Sequence, residues 1–234
     1  MYILILPSFG LINYSLSNSV NNYIFGTVSM TVALVSILLF GSIVWAHHMY
    51  VVSLETDTNI YFSIMTLIIA IPTGTKLYNW LYLSYSHYHK SMFINTIYIN
   101  IVLGMLFVII IILGGVTGII LGNNILDIYL HDTYFVIAHF HYILSIGSIV
   151  SIMMSVSFMN SYVHHSLPIS NVNLAYILNI FAFLNIAFIP LYYLGFNVMP
   201  RRIPEYSDYM ITWNSIASLG LLSLYFTIIT VICL

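Results

Sequence analysis

The sequence predicts an all-α, polytopic membrane protein, and three observations carry that prediction. Of the 234 residues, 61% are hydrophobic and only 4% are charged, whereas about a quarter of a soluble domain is charged. The mean hydropathy is +1.03. Several apolar stretches reach the length of about 20 residues that a membrane-spanning helix needs. We therefore expect one transmembrane domain over residues 1–234.

The predicted elements begin with an incomplete helix. In "MYILILPSFG", Pro7 and Gly10 interrupt the apolar run, so we expect a partial helix at about 1–15 and then the polar connection "SLSNSVNNY". The start lacks the basic region and small-residue cleavage site of a secretory signal. Six full spans are then expected at 26–46, 57–84, 96–121, 134–160, 173–196 and 210–233.

Composition and topology limit the function. The net charge of −2 is too small to indicate a nucleic-acid partner, and a single cysteine excludes a disulfide framework. Because spans alternate in direction, the loops near 47–57, 122–132 and 197–208 should share one side, which holds every Asp and Glu. The nine histidines are unusual, since ionisable groups in a membrane are costly and commonly functional.

The stretch "HDTYFVIAHFHY" carries the strongest functional pattern. Residues two apart on an α-helix point about 200° from each other, so His139 and His141 should serve two prosthetic groups on opposite faces. Imidazole is an axial ligand of haem iron. The alternative is that each ring bonds a neighbouring carbonyl. One turn earlier, His131 and Asp132 form a nitrogen–oxygen pair suited to a divalent cation, unless they lie in an ordinary solvated loop.

A second pair, His47 and His48 in "VWAHHMY", lies at the end of the predicted span 26–46. Adjacent helical residues lie about 100° apart, so the two rings can converge on one metal only where the helix end adjusts. Imidazole coordination suits copper, zinc or iron, and a further ligand must come from elsewhere. A plain interfacial pair is the alternative, and it is the interpretation we prefer for His164 and His165. Trp45 is the aromatic residue most expected to contact a cofactor.

Polar residues also lie along the predicted span 57–84. Thr66, Thr73 and Lys76 form a stripe within about 80° of azimuth, and Pro72 frees a carbonyl beside it. A charge within the membrane costs about 2.5–3.5 kcal/mol, which favours a proton path over a helix-packing seam.

Paired guanidinium groups follow Pro200. Arg201 and Arg202 suit carboxylates or phosphates. Lipid headgroups are the alternative partners to haem propionates.

Taken together, "YILILP.FG", "VWAHHM", "IAIPTGTK", "LHDTYFVIAHFHY" and "MPRR" resemble subunit I of the haem-copper oxidases, of the mitochondrial cytochrome c oxidase type, along essentially the whole chain. The resemblance implies the second half of a twelve-helix bundle in the mitochondrial inner membrane. It also implies O2 reduction to water with electrons from cytochrome c, coupled to proton translocation.

The resemblance implies a role for each matched residue. These roles are copper ligation by His47 and His48, haem a3 ligation by His139, haem a ligation by His141, magnesium binding by His131 and Asp132, pairing of Arg201 and Arg202 with haem propionates, a K-type proton channel with Lys76 and Thr73, and a cross-linked tyrosine at Tyr2.

Departures from the family pattern imply partners. In the family a His-Pro-Glu segment with a third copper ligand precedes the position of Tyr2, so we expect an N-terminal fragment of the same subunit on another chain, with Met1 buried near copper. Further expected partners are other oxidase subunits, including the one that receives electrons from cytochrome c, cytochrome c itself and membrane lipid. Asn13 replaces a common Ser, and Val198 a usual Gly.

Three alternatives stay open at this point. A quinol-oxidising relative would share the haem histidines but commonly varies the His131–Asp132 pair. Nitric oxide reductases lack the matched tyrosine and lysine. A non-catalytic scaffold or proton transporter would not need to retain five metal-binding histidines.

Overall fold

The computed structural model describes residues 2–20, 25–52, 54–91, 95–163 and 171–233. Within these ranges the chain is helical and contains no β-strand, which confirms the all-α class. The α-helices are α1 Tyr2–Val20, α2 Thr27–Ile43, α3 Thr56–Ile68, α4 Ala70–Ser91, α5 Asn95–Gly122, α6 Asn124–Leu130, α7 Tyr134–Phe140, α8 Gly147–Val163, α9 Asn171–Phe196 and α10 Ile211–Cys233. Shorter helical turns are the 3₁₀ turns Trp45–Met49 and Asp208–Met210 and the π turn His141–Ile146.

Five helical stretches of the described chain are long and apolar enough to cross a membrane. They are Thr56–Tyr85, Tyr98–Gly122, Tyr134–Met159, Leu174–Phe196 and Asp208–Thr230. The remaining predicted span, 26–46, is shorter than expected: α2 has 17 residues, and the chain tightens into the 3₁₀ turn at Trp45. At about 1.5 Å per residue, α2 is slightly shorter than a ~30 Å hydrocarbon core.

The predicted end of the first helix is wrong. Instead of stopping at residue 15, α1 continues through most of the polar stretch to Val20. The reason is local, because Ser17 Oγ and Asn18 Nδ2 donate to the carbonyl of Tyr14 at 3.1 and 2.9 Å. Polar side chains bonded to their own helix do not terminate it.

The predicted span 57–84 is a pair of helices with a break between them. Ile69 separates α3 from α4, three residues before Pro72. The proline has no N–H to donate, and its ring clashes with the carbonyl four residues earlier. The freed backbone expected from the sequence is therefore present at this break.

The core lies between α1, α4, α5, α8 and α9. At its centre the rings of Phe9, Trp80 and Phe107 pack with centroid distances of 5.3–6.2 Å. Gly195 lets α9 approach α7 closely, since a Cβ there would clash with the backbone nitrogen of Phe135. Such close approach at small residues is typical of helix packing in membranes.

Three loops meet at one end of the bundle, as the alternation of spans predicted. Tyr50 Oη donates to the carbonyl of Gly122 at 3.3 Å. Arg201 N donates to the carbonyl of Asp132 at 2.8 Å, and Thr133 pairs with Pro200 in an isolated antiparallel bridge. The acidic residues and the arginine pair therefore lie at the same end.

Candidate functional site

The 3₁₀ turn after α2 brings two imidazole rings together. His47 Nε2 and His48 Nε2 lie 3.0 Å apart. The helix end adjusts as the sequence required, since the 3₁₀ turn of Trp45–Met49 replaces the α-helical one. Imidazole–metal bonds are about 2.0–2.1 Å long, so two nitrogens at this separation can both bind one ion.

Thr66 orients the first ring of this pair. Its hydroxyl donates to the carbonyl of Phe62 at 2.6 Å, so its oxygen accepts from His47 Nδ1, 3.3 Å away. The proton on Nδ1 leaves Nε2 as the nitrogen with a lone pair. Burial first, then His48 and His139, lowers the pKa of His47 to about 4. The ring is therefore neutral at pH 7, which is the form that binds metals.

His139 is held against α5. Its Nδ1 lies 3.0 Å from the carbonyl of Gly114 and 3.0 Å from Thr117 Oγ1. A carbonyl can only accept, so Nδ1 carries the proton and Nε2 keeps the lone pair. The ring fits closely, since a Cβ at Gly118 would lie 2.9 Å from His139 Cε1.

His141 is held on the other side of the same helix. Its Nδ1 donates to the carbonyl of Ile137 at 2.9 Å, and its ring stacks on Phe188 of α9 at 5.1 Å. The opposite-face prediction for His139 and His141 is therefore confirmed. Each Nδ1 bonds a carbonyl, as the alternative interpretation expected. Histidines that bind metals through Nε2 commonly make the same bond at Nδ1.

The predicted cation pair forms part of a wider polar cluster. His131 Nε2 lies 3.4 Å from Asp132 Oδ2, and Arg201 Nε lies 3.5 Å from Asp132 Oδ1. Asp132 has a φ of 55°, a conformation that Asp tolerates better than most residues. Arg201 therefore pairs with the carboxylate of Asp132, while Arg202 is exposed, with a φ of 63°.

Asp127 is a member of this cluster that the sequence analysis missed. Its Oδ2 lies 3.7 Å from His131 Nδ1, four residues along the chain. Burial raises the pKa of Asp127 to about 6, which His131 partly offsets. The i, i+4 spacing of an acid and a histidine is the signal that could have found it.

Lys76 lies inside the bundle with a side chain that is 0% exposed. Nζ is 5.2 and 5.3 Å from the ring centres of Phe9 and Trp80, and it makes no hydrogen bond to the described part of the chain. Asn13, the departure noted above, accepts a hydrogen bond from Trp80 Nε1 beside it. The hydroxyl of Thr73 donates to the carbonyl of Ile69 at 2.9 Å, at the break between α3 and α4.

Trp45 lies in the same 3₁₀ turn as His47 and His48, whereas Tyr2 packs against α2. The ring of Tyr2 is against Gly41 of α2, where a Cβ would be 2.8 Å from Cδ2. Trp45 is 65% exposed, and its ring packs on Phe62 at 5.6 Å. Met1, His164 and His165 lie outside the described residues.

The donor sets fit metals only in part. Over the described ranges, no three His, Cys, Asp or Glu side chains group closely enough to hold an ion. His47 and His48 supply two converging nitrogens, and His139 and His141 one each. A single nitrogen on each helix face suits haem, because the macrocycle supplies the other iron ligands. His47 and His48 would need a further ligand from elsewhere to hold a metal ion.

The comparisons with known proteins identify the family of the chain. The family model described as "Cytochrome C and Quinol oxidase polypeptide I" matches residues 1–229. Cytochrome c oxidase subunit 1 of Plasmodium falciparum is 44% identical over 221 residues, which cover 94% of this chain and 45% of the relative. The same subunit of Theileria annulata is 40% identical over 239 residues, covering 100% and 48%. That of Yarrowia lipolytica is 38% identical over 225 residues, covering 94% and 40%. The chain spans about half the length of these relatives.

Proposed function

The chain belongs to the cytochrome c and quinol oxidase polypeptide I family, and we propose that it forms part of the catalytic subunit of a cytochrome c oxidase. The oxidase would reduce O2 to water with electrons from cytochrome c and couple this reaction to proton translocation. Residues 1–234 would act as one transmembrane domain. The rest of the catalytic unit would come from a polypeptide segment equivalent to the other half of the relatives.

The arrangement of His139 and His141 carries this proposal. Two histidines leave opposite faces of one helix, and a backbone carbonyl fixes the Nδ1 proton of each. An imidazole fixed in this way is a stronger and better-oriented ligand through Nε2. His139 would hold the iron of haem a3, and His141 that of haem a. One helix of this chain would then hold both haems.

The remaining residues would hold the other groups. His47 and His48 would bind the active-site copper, and His131 with Asp132 would bind magnesium, whose preference for oxygen ligands and retained water suits an exposed site. Arg201 and Arg202 would pair with haem propionates, with Arg201 shared between Asp132 and a propionate. Trp45 would border the copper site. When bound, haem iron and copper supply the redox chemistry of O2 reduction.

Lys76, Thr73 and Tyr2 would handle protons. The amine of Lys76 is buried without a hydrogen-bonding partner among the described residues, so it can hold a proton and release it to a transient acceptor. The hydroxyl of Thr73 lies at the helix break, where the freed backbone can bind water. Tyr2 would supply a proton from Oη at the copper end.

Five membrane-capable helices in the described part of the chain support a multi-pass membrane protein. We propose that its membrane is the mitochondrial inner membrane. Its partners would be the other oxidase subunits, including the one that receives electrons from cytochrome c, together with cytochrome c and lipid.

The test uses the assembled oxidase purified from its own membrane. Reduced-minus-oxidised spectra and metal analysis should give two haems and copper. His139→Ala should remove one haem and abolish O2 consumption, while the control His131→Ala should keep both haems and lose only the magnesium site. A purified complex without copper, or a His139→Ala complex with both haems, would overturn the proposal.

A further inference from the structure

A chain of three side chains connects α9 to His139. Tyr192 Oη lies 3.1 Å from Thr117 Oγ1, and Thr117 Oγ1 lies 3.0 Å from His139 Nδ1. The hydroxyl of Thr117 also donates to the carbonyl of Gly114 at 2.8 Å. Neither Thr117 nor Tyr192 belongs to a motif that the sequence analysis recognised.

The protons of this network can be assigned in one consistent way. Thr117 has a single hydroxyl proton, which goes to the carbonyl of Gly114. Its two lone pairs then accept from His139 Nδ1–H and from the hydroxyl of Tyr192. The Nδ1 proton of His139 is shared between Gly114 and Thr117, at 3.0 Å from each acceptor.

Packing holds the tyrosine in place. The ring of Tyr192 makes an edge contact with Phe135 at 5.3 Å and lies 5.8 Å from the ring of Tyr142. Phe135 is fully buried, and Tyr142 Oη is in turn hydrogen-bonded to Asn185. The position of the Tyr192 hydroxyl is thus set by aromatic contacts with α7 and with the π turn that continues it.

We propose that Thr117 and Tyr192 are positioning residues that tune His139. This inference rests on the proposed role of His139 as a haem ligand. An acceptor on Nδ1–H makes an imidazole more basic and a stronger electron donor at Nε2. Thr117 is such an acceptor. Tyr192 weakens it, because it occupies the other lone pair of the Thr117 oxygen.

The two residues therefore have opposite effects on the haem held by His139. Thr117→Val removes an acceptor, so the iron should become easier to reduce. We expect about a tenfold change in the reduction equilibrium, or ~59 mV for one electron. Tyr192→Phe frees a lone pair on Thr117 and should shift the potential the other way by a smaller amount. A loss of packing alone would not separate the two variants by sign.

The experiment is a redox titration of the purified oxidase, followed by the haem absorbance and by the iron–histidine band in resonance Raman spectra. Thr117→Ser should restore the wild-type potential, since it keeps the hydroxyl. Tyr193→Phe is the matched control, because the Tyr193 ring packs on Trp213 instead.

The outcomes separate the two proposals. Opposite shifts in Thr117→Val and Tyr192→Phe, with both haems retained, support the inference. Unchanged potentials, or shifts of the same sign, overturn it and leave the proposed function standing. If the wild-type complex has no haem that depends on His139, both proposals fail. Should Thr117→Val not assemble, Tyr192→Phe and Thr117→Ser still decide the result.

Discussion

Two polar groups inside this bundle have opposite hydrogen-bonding environments. The Nδ1–H of His139 has two acceptors at 3.0 Å. The fully buried amine of Lys76 has no hydrogen-bond partner among the described residues and faces the rings of Phe9 and Trp80. A histidine with every proton assigned holds one geometry. An amine without a fixed acceptor can change its partner or its protonation state. The first arrangement suits a ligand, and the second suits a carrier.

The two environments also differ in their cost to stability. A buried polar group without a hydrogen bond costs about 1–3 kcal/mol, and more when it is charged. The contacts of the ammonium with the two rings recover part of this cost. A residue that only filled space at this position would be better as methionine. We infer that lysine is retained at this position, despite its cost to stability, because its amine has a function.

The largest expected effect comes from Lys76→Met. This change keeps the volume and removes the proposed proton carrier, so turnover should fall on the order of 10²-fold, as is typical when a proton-transfer group is lost. The free energy of unfolding should rise by about 1 kcal/mol, because the unpaired amine is gone. Oxygen uptake and thermal unfolding of the purified complex measure the two effects. Thr75→Val, which removes a hydroxyl bonded to Ile71, is the control. Lost stability together with normal turnover would make Lys76 a structural residue.

Gly118→Ala tests the fixed position of the His139 ring. The new Cβ would lie 2.9 Å from Cε1 of His139, and the ring cannot swing away without breaking its Nδ1 bonds. We expect a cost of about 1–3 kcal/mol, seen as roughly 10- to 100-fold weaker haem retention. Haem absorbance after dilution into detergent measures it.

Gly115→Ala provides the control for this change, because a Cβ there meets nothing within 4 Å. Equal haem loss from both variants would show that α5 simply tolerates no side chain in this region. His139 would then not be the sensitive group.

A smaller effect is expected from Thr66→Val. The change removes the acceptor of His47 Nδ1–H, which lies 3.3 Å away. Loss of such an outer partner weakens metal binding by about 10–100-fold, and the length of this bond favours the lower end. Copper content during titration with a chelator gives the answer. Thr31→Val, whose hydroxyl bonds only carbonyls of α2 among the described residues, should bind copper normally. A normal copper content in Thr66→Val would mean that the ring is oriented by other contacts.

The smallest effect is expected from relieving backbone strain at Val198, away from both His139 and Lys76. Val198 has a φ of 58°, which is unfavourable for a β-branched residue. Val198→Gly should raise the free energy of unfolding by about 1 kcal/mol, as measured by thermal unfolding. Val198→Ala keeps the strained Cβ and should gain much less. Equal gains would attribute the effect to side-chain size.

Local patterns were predicted well, and contacts between distant segments were not. The opposite faces of His139 and His141 follow from the helical period alone. The convergence of His47 and His48 needed only an adjusted helix end. Thr117 and Tyr192, by contrast, are 75 residues apart, and they meet only because α5 and α9 both pack beside α7.

Two boundaries show the limits of reading polarity as a helix end. The sequence predicted that α1 would stop at "SLSNS", yet Ser17 and Asn18 bond to their own helix. The break at Ile69 has a clear cause in Pro72, although the hydrophobic pattern runs across it. Hydropathy measures the burial of side chains, whereas helix ends depend on where the backbone bonds go.

The π turn at His141–Ile146 has a consequence for the history of this chain. A π turn holds one residue more than an α turn, and losing that residue would rotate α8 by about 100° relative to α7. The buried line of Ile146, Val150 and Met154 would then face away from its neighbours. Substitutions between residues 142 and 154 would keep this register, whereas a gain or loss of one codon would change it. Sequences that descend from a common ancestor with this chain should align there without gaps.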